Sequence, residues 1–305
     1  MNPGATDNGS PIGPIRVWLM AFRPRTLPAA VSPVLVGSAL AFSEGRFHAA
    51  AAFSCLAVAL LLQITVNLAN DYFDGIRGVD AGKRLGPKRV TQSGLVPAAR
   101  VRRAVFLCLS LSFLPGGYLI FRGGPPILVL AVASLLSTLA YSGGPFPLAS
   151  HGLGDLFVFL FFGLVGVCGT YYLQSGVFSW ASVGAAVPVG LLITAILVVN
   201  NLRDIPSDRE AGKRTLAVYL GERSTRIEFT LLVIGAYLPP FAFTVWGDGF
   251  SFWPLLPLLS APRAYALTRS LFRTRAEGLN RTLADTARLS LGYGIWFSLG
   301  LALTG

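Results

Sequence analysis

Charged residues are scarce in this sequence. Of its 305 residues, 13% are Asp, Glu, Lys or Arg, whereas 53% are hydrophobic. A soluble globular domain carries about 25% charged residues. The composition therefore excludes an ordinary soluble domain and indicates a protein that folds in an apolar solvent.

Histidine and cysteine are also rare, which excludes several kinds of chemistry. The two histidines, His48 and His151, do not stand in a pattern with Cys or Ser that is typical of an activated nucleophile, so covalent catalysis is not expected. The three cysteines lie within apolar runs and lack the spacing of metal ligands. We interpret Cys55, Cys108 and Cys168 as small core residues.

Long apolar runs are what the chain has in abundance. A helix needs about 20 predominantly apolar residues to cross a bilayer, and nine runs approach or reach that length. The sequence therefore predicts an all-α integral membrane protein, a bundle of about nine transmembrane helices. The runs cover residues 27–43, 49–69, 104–121, 126–141, 154–173, 181–200, 227–246, 252–270 and 284–303.

The start of the chain differs from the rest. Residues 1–15 are rich in Gly, Pro and Ser and contain no apolar run, so they lack the hydrophobic region of a signal peptide. We expect a disordered cytoplasmic tail over residues 1–15 and a single transmembrane domain over residues 16–305.

The basic residues lie on one side of the predicted bundle. With the N-terminus inside, every Lys and Arg except Arg46 and Arg122 falls in a cytoplasmic segment or at its edge. Cytoplasmic loops collect Lys and Arg, so this distribution predicts the orientation of a multi-pass protein in the cell membrane. It also accounts for the net charge of +11 without a nucleic-acid partner.

Amides and carboxylates cluster where the second apolar run ends. Asn67, Asn70, Asp71 and Asp74 are spaced at i, i+3, i+4 and i+7, so a helix that continues through this segment carries all four on one face. Asp80 follows after a turn that contains glycine.

A second cluster follows the sixth run. Asn200, Asp204 and Asp208 are spaced by four residues and can share one helical face. Pro206 lies between the two acids, and we expect it to bend or interrupt the helix there.

The two clusters predict a magnesium site at the mouth of the bundle. Carboxylates there are costly unless something neutralises them. Magnesium prefers a few carboxylates together with phosphate oxygens of a substrate, so two facing clusters are expected to clamp a diphosphate through Mg²⁺. The candidate ligands are Asn67, Asp71, Asp74, Asp80, Asn200, Asp204 and Asp208.

Cationic side chains flank both clusters and are suited to stabilise a departing diphosphate. For Lys88 the favoured interpretation is a solvated anchor at the membrane surface. The other flanking cations are Lys83, Arg84, Arg89, Arg203, Lys213 and Arg214.

These segments resemble a known family. NDYFD at residues 70–74 and RDIPSDREAGKRTL at residues 203–216 are similar to the two aspartate-rich motifs of the UbiA superfamily of intramembrane aromatic prenyltransferases. The similarity runs over nearly the whole chain and includes AFRPRTLPA at 21–29, RLGPKRVTQSG at 84–94 and YSGGPFPLASHGLGD at 141–155. The displaced acid Asp80 and the ending Gly212–Leu216 resemble the naphthoate branch of that superfamily.

The resemblance implies a Mg²⁺-dependent enzyme of menaquinone biosynthesis. It implies transfer of a polyprenyl group from an isoprenoid diphosphate to 1,4-dihydroxy-2-naphthoate, with loss of carbon dioxide, at a site that opens to the cytoplasm. The implied catalytic residues are Asp71, Asp74, Asp204, Asp208 and Lys213. The candidate substrate-binding residues are Arg23, Asn67, Asn70, Tyr72, Lys83, Arg84, Arg89, Tyr141, Asn200 and Arg203.

Some of these residues have a second interpretation. A guanidinium at Arg23 matches a carboxylate of the acceptor, but Arg23 also suits a positive-inside anchor. Tyr72 and Tyr141 are suited to face an allylic cation, although aromatic residues at a membrane interface often belong to an aromatic belt. Asp155 is a candidate to orient a loop or to accept a proton.

The residues alone leave three other functions open. The first is prenyl or phytyl transfer to another acceptor, such as 4-hydroxybenzoate, homogentisate or haem. The second is a secondary transporter whose intramembrane acids carry protons or sodium, although a transporter is expected to hold its acids near the middle of its spans. The third is a prenyl-binding scaffold, which would not need two metal clusters.

Overall fold

The computed structural model describes residues 13–77, 86, 89–144, 146–245 and 250–305. Within these residues the protein is helical and contains no β-strand, which confirms the predicted all-α fold. Asp80, Lys83, Arg84 and Lys88, together with residues 1–12 of the predicted tail, lie outside the described residues.

Helices account for most of the described residues. Single turns of 3₁₀ helix connect several of them, and π-helical turns at Phe159–Val165 join α5 to α6. The helices are α1 (Pro14–Phe22), α2 (Pro28–Ser43), α3 (Ala49–Arg77), α4 (Ala98–Ala140), α5 (Gly154–Val158), α6 (Gly166–Ser175), α7 (Trp180–Glu210), α8 (Leu216–Ala236), α9 (Pro239–Ala242), α10 (Ala261–Leu271) and α11 (Leu279–Ala302).

Among the described residues, five helical segments are long and apolar enough to cross a membrane: Ala49–Ile76, Ala98–Ala140, Gly154–Ser175, Trp180–Glu210 and Leu216–Val245. Helix α2 and the segment before it, bent by 47°, form a sixth if they count as one span. The protein is therefore an integral membrane protein. The count of nine spans stays a prediction, although each of the nine apolar runs overlaps a helical segment.

Local sequence signals set several helix ends. Ser179 precedes α7, and its hydroxyl accepts a hydrogen bond from the backbone N–H of Ala181 at 3.2 Å. Thr215 caps α8 in the same way, through the N–H of Val218 at 3.3 Å. Such caps satisfy backbone donors that have no partner inside the helix.

Helix α4 contains a sharp break that produces two predicted spans. Gly124 has a φ of 67°, in the left-handed region that residues with a Cβ rarely adopt. Pro125 and Pro126 follow, and neither can donate the backbone hydrogen bond that would continue the first helix. The runs 104–121 and 126–141 are thus the two arms of one kinked element.

Helix α7 is the centre of the bundle. It packs against α2, α5, α8 and α11, and most of its apolar span is buried. Gly163 of the π-helical turns meets Gly190 of α7 so closely that a Cβ on Gly163 would lie 2.8 Å from the Cα of Gly190. This contact brings the two backbones close together and fixes the position of α7 against the π-helical turns.

Of the expectation that Pro206 bends or interrupts α7, the interruption is wrong. The helix runs without a break from Trp180 to Glu210 and contains Pro206 in its last turns. Proline removes one backbone donor there, but its fixed φ is compatible with a helix. Asp204 and Asp208 therefore stand on one continuous helix.

Candidate active site

Helix α3 carries the first polar cluster on one face, as its spacing predicted. Asn67, Asp71 and Asp74 are all buried, with 4%, 2% and 6% of their surface exposed. The α3–α4 pair buries Leu68 of α3 together with Val101 and Val105 of α4. This packing holds the polar face of α3 towards the loop that precedes α4.

Asp71 organises that loop. Its Oδ2 accepts the backbone N–H of Val90 at 2.9 Å and its Oδ1 accepts that of Thr91 at 2.8 Å. Two backbone donors on one carboxylate form charge-assisted hydrogen bonds, which are the strong kind. Sequence reasoning did not find this role, because nothing in the local pattern shows which loop returns to α3.

Asp74 is paired with two cations. The Arg89 guanidinium donates to Oδ2 of Asp74, and Lys213 Nζ lies 3.3 Å from the same oxygen. Arg89 also donates to the backbone carbonyl of Asn70 at 2.6 Å. Arg89 thus ties the loop before α4 to the predicted first motif.

The second cluster is built around one buried guanidinium. Arg203 donates to both carboxylate oxygens of Asp204, at 2.7 and 2.6 Å, and to Oδ1 of Asn200 at 2.8 Å. A third partner is Oδ1 of Asn280 on α11 at 2.9 Å. Asn280 is far away in sequence, so spacing alone could not identify it.

Lys213 joins the two clusters. Its ammonium lies 3.3 Å from Asp74 and 3.9 Å from Oδ1 of Asp208. Because Asp74 belongs to α3 and Asp208 to α7, the carboxylates of the two motifs meet at one positive charge. This convergence at the same end of the bundle is what the two motifs predicted.

Asn67 holds the connection between α1 and α2. Its Nδ2 donates to the carbonyl of Phe22 at 2.9 Å and to Oγ1 of Thr26 at 3.0 Å. Between them, Arg23 has a φ of 50° and is the one non-glycine residue with positive φ within the described part of the chain. A left-handed non-glycine residue persists where its surroundings determine it, and such residues are frequent at functional sites.

A cavity of about 420 Å³ runs from this polar end into the bundle. Its polar end is lined by Arg23, Asn67, Asn70, Tyr141 and Asn200. The remaining wall is mostly apolar and comes from α2, α3, α4, α6, α7 and the segment at α5. The five buried residues of one apolar cluster all line it: Val34, Cys55, Leu119, Ile127 and Leu173.

The predicted tyrosines lie in different surroundings. Tyr141 lines the cavity, next to Ser142, whose hydroxyl donates to Oδ1 of Asn70. Tyr72 does not line it; its ring packs edge-on against Phe73, with centroids 5.2 Å apart. Tyr141 thus reaches the cavity, whereas Tyr72 belongs to the α3–α4 packing.

The donor set suits a hard divalent cation that also binds substrate. Asp74 of α3 and Asp208 of α7 both place a carboxylate oxygen within 4 Å of the Lys213 ammonium. Within the described ranges, no group of three His, Cys, Asp or Glu side chains converges closely enough to hold a metal alone. Mg²⁺ commonly takes one or two carboxylates and completes its shell with water and phosphate oxygens, so these residues fit Mg²⁺.

Comparison with known proteins gives related sequences over most of the chain. The 1,4-dihydroxy-2-naphthoate octaprenyltransferase of Escherichia coli is 37% identical over 95% of this chain and 96% of its own. The enzyme of that name from Mycobacterium tuberculosis is 40% identical over 81% of this chain and 83% of its own.

The fold is also shared with solved structures. A UbiA homologue from Archaeoglobus fulgidus, bound to GPP and Mg²⁺, superposes with a TM-score of 0.60 at 14% identity, over 92% of this chain and 99% of that one. The sequence model of the UbiA prenyltransferase family matches residues 30–292. This chain, with its two aspartate clusters at the head of an apolar cavity, belongs to the UbiA prenyltransferase family.

Proposed function

We propose that this protein transfers a polyprenyl group from an isoprenoid diphosphate to 1,4-dihydroxy-2-naphthoate, with loss of carbon dioxide, and so forms demethylmenaquinol in menaquinone biosynthesis. The observation that carries the proposal is the convergence of Asp74 and Asp208 on Lys213 at the polar end of an apolar cavity. Sequence identity of 37% over most of the chain to a naphthoate prenyltransferase supports the choice of acceptor.

The aspartate clusters form the diphosphate site. The residues that would hold Mg²⁺ are Asp74, Asp204 and Asp208, with Asn67, Asp71 and Asn200 beside them; Asp80 is a further candidate outside the described residues. Bound there, Mg²⁺ would supply positive charge that neutralises the diphosphate and makes it a better leaving group. Asp71 in addition holds the loop at Val90 and Thr91, so its role is partly structural.

Cations of the protein stabilise the departing pyrophosphate. Lys213 lies between Asp74 and Asp208, so a diphosphate bound to these carboxylates through Mg²⁺ would be within reach of its ammonium. Arg89 contacts Asp74 from the loop side. Fixed positive groups of this kind lower the energy of the charge that develops when the prenyl carbon–oxygen bond breaks. Lys83 and Arg84 are proposed to add to this charge.

The acceptor binds where the cavity becomes polar. Arg23 is positioned there by its left-handed backbone, and its guanidinium matches the carboxylate of the naphthoate in bidentate geometry. Asn70, Tyr141 and Asn200 line the same region and offer hydrogen bonds to ring hydroxyls. The apolar wall beyond them keeps water from the allylic cation.

The prenyl tail extends along the apolar part of the cavity. We propose that a long tail leaves the cavity through a slot into the bilayer, since lipid is as apolar as the tail. The one-sided distribution of Lys and Arg supports an N-terminus and an active site on the cytoplasmic side of the cell membrane.

The transporter alternative is less well supported. Asp71 and Asp74 lie in the last two turns of the helix Ala49–Arg77, and Asp204 and Asp208 lie in the last turns of Trp180–Glu210. Transport sites of broken-helix transporters lie near the bilayer midplane. Acids at the helix ends, beside Arg89 and Lys213, fit an entrance for a charged substrate instead.

The test uses the purified protein in nanodiscs. It is incubated with geranylgeranyl diphosphate and 1,4-dihydroxy-2-naphthoate, with and without Mg²⁺, and prenylated naphthoquinone is measured by mass spectrometry. We expect Mg²⁺-dependent product that is lost in Asp74→Ala and Asp204→Ala and kept in Asp285→Ala, an acid on the α11 surface that pairs with Arg288 at 2.9 Å. Product with 4-hydroxybenzoate or homogentisate in place of the naphthoate would reject this acceptor.

A further inference from the structure

Asp155 is a buried carboxylate with an oxygen that has no partner. The residue lies at the start of α5 with 7% of its surface exposed. Its Oδ2 is inaccessible and makes no hydrogen bond. Burying a carboxylate oxygen without a hydrogen bond is costly, so such a group calls for an explanation. The proposed function as stated so far gives Asp155 no role.

The position of Asp155 is next to the acceptor end of the cavity. Its neighbour Gly154 is so close to the wall that a Cβ there would lie 3.4 Å from Tyr141 Oη and 3.4 Å from Leu197 Cδ2. Tyr141 and Leu197 both line the cavity, as does Phe157 two residues after Asp155. Asp155 therefore directly follows a residue that approaches the phenol of Tyr141.

The phenol of Tyr141 stays protonated. It follows directly after the membrane span Ala98–Ala140. Burial raises the pKa of Tyr141, and the carboxylates of Asp155, Asp208 and Asp74 raise it further, Asp155 most among the three. A neutral phenol can donate its proton to one oxygen while it accepts a proton from another.

We propose that Asp155 is the proton acceptor for a ring hydroxyl of the naphthoate and acts through Tyr141. This inference rests on the proposed function. Tyr141 touches the acceptor, and Asp155 is the positioning residue behind it. The hydroxyl passes its proton to Tyr141 Oη while Tyr141 passes its own proton to Oδ2 of Asp155.

The electrons and the proton balance without another reagent. The ring oxygen gains electron density, and the adjacent ring carbon, which bears the carboxylate, forms a bond to the prenyl carbon as the bond from that carbon to the diphosphate breaks. The resulting β-keto carboxylate loses carbon dioxide. The ring then becomes aromatic again, and its oxygen takes a proton back from Tyr141 Oη. Tyr141 in turn takes a proton back from Asp155.

Other acids surround this pair and bear on its pH dependence. Glu228 of α8 lies within electrostatic range of Asp155. Asp208 of α7 and Asp74 of α3 act on Tyr141. A pH profile of the protein therefore contains contributions from these acids, and the effect of Asp155 is read from the difference between the wild-type protein and a variant.

The experiment compares kcat and KM of the wild-type protein, Asp155→Asn and Asp155→Glu in nanodiscs, with Mg²⁺, geranylgeranyl diphosphate and 1,4-dihydroxy-2-naphthoate. General acid–base assistance contributes about 100-fold or more, so we expect Asp155→Asn to lower kcat by about 100-fold with the KM for the diphosphate unchanged. Asp155→Glu should recover part of the activity. The rate of Asp155→Asn should rise more steeply with pH than that of the wild-type protein, because solution ionises the naphthol in place of the lost acceptor.

Controls separate this role from a structural one. Asp285→Asn changes an acid on α11 and should keep wild-type kcat, and the thermal melting temperature reports whether each variant folds. Tyr141→Phe removes the relay oxygen and keeps the ring, so it should lose as much kcat as Asp155→Asn. Wild-type kcat in either variant, or a loss with an unchanged pH profile, overturns the inference. Failure of the wild-type protein to prenylate the naphthoate would instead reject the proposed function.

Discussion

The ammonium nitrogen of Lys213 lies 3.3 Å from Oδ2 of Asp74, although 139 positions separate the two residues in the chain. Asp74 is at the end of α3, and Lys213 follows α7. Their contact joins the two aspartate clusters that we propose to bind the diphosphate. Several expected outcomes depend on it.

Replacing Lys213 by Met should lower kcat by about 100-fold. Met keeps most of the length of the side chain and loses the charge that we propose to stabilise the departing pyrophosphate, a type of stabilisation worth about 10²–10³ in kcat. Steady-state kinetics with saturating donor and acceptor measures the change. Arg209→Met is the matched control, since Arg209 is exposed in the last turn of α7, close to Lys213 in sequence. An equal loss of kcat in both variants would contradict a specific role for Lys213.

Removal of divalent metal should abolish product formation. The carboxylates that we propose to bind the diphosphate can hold it only through added positive charge, because like charges repel. We expect EDTA to stop the reaction and excess Mg²⁺ to restore it, as measured by mass spectrometry. Undiminished turnover after extensive chelation would mean that Lys213 and Arg89 suffice to bind the diphosphate.

Asp71→Ala should destabilise the protein as well as inactivate it. The change leaves the N–H groups of Val90 and Thr91 without their acceptor, and hydrogen bonds to a charged group contribute about 1.5–3 kcal/mol each. The melting temperature should therefore fall. Asp208→Ala, which removes an acid of the second motif, should inactivate with a smaller shift, and equal shifts would argue against the loop-holding role of Asp71.

Arg203→Leu should cost more stability than a surface arginine change. It leaves the buried Asp204 without its two-pronged partner, and breaking a buried ion pair from one side costs about 3–5 kcal/mol. Arg203→Lys should recover only part of this loss, because an ammonium cannot reproduce the planar fork. Thermal unfolding in detergent measures both; Arg288→Leu is the exposed comparison.

A larger side chain in the cavity should lower the activity with long prenyl diphosphates more than the activity with short ones. Ala131 lines the cavity, whereas its neighbour Val132 is exposed on the bundle surface. Ala131→Phe should lower kcat/KM for geranylgeranyl diphosphate more than for geranyl diphosphate, and Val132→Phe should change neither. A uniform loss for both donors in Ala131→Phe would place the tail elsewhere.

Much of the site could be predicted from sequence because its signals are local. The spacing of Asn67, Asp71 and Asp74 predicts one helical face, and α3 has it. Asn200 and Asp204 on α7 follow the same rule. These predictions need only the period of a helix and the cost of placing acids at the edge of a bilayer.

The partners of these residues could not be predicted, because they depend on tertiary structure. Asn280 reaches Arg203 from α11, and Val90 reaches Asp71 from a loop. The expectation that Pro206 interrupts α7 was wrong because it considered local sequence only. A proline near the end of a helix removes one backbone hydrogen bond, and the packing of a buried helix such as α7 outweighs that loss.

The contact between Gly163 and Gly190 fixes the position of α7 along its axis relative to the π-helical turns. Ten residues separate Gly190 from Asn200, which is about 15 Å along a helix. If α7 slid by one turn, Ala186 or Thr194 would have to replace Gly190 against Gly163, and the added side-chain atoms would not fit in the space that a Cβ already overfills. The close approach of these two glycines therefore sets the position of α7 along its axis, and with it the position of Asn200 at the polar end of the cavity.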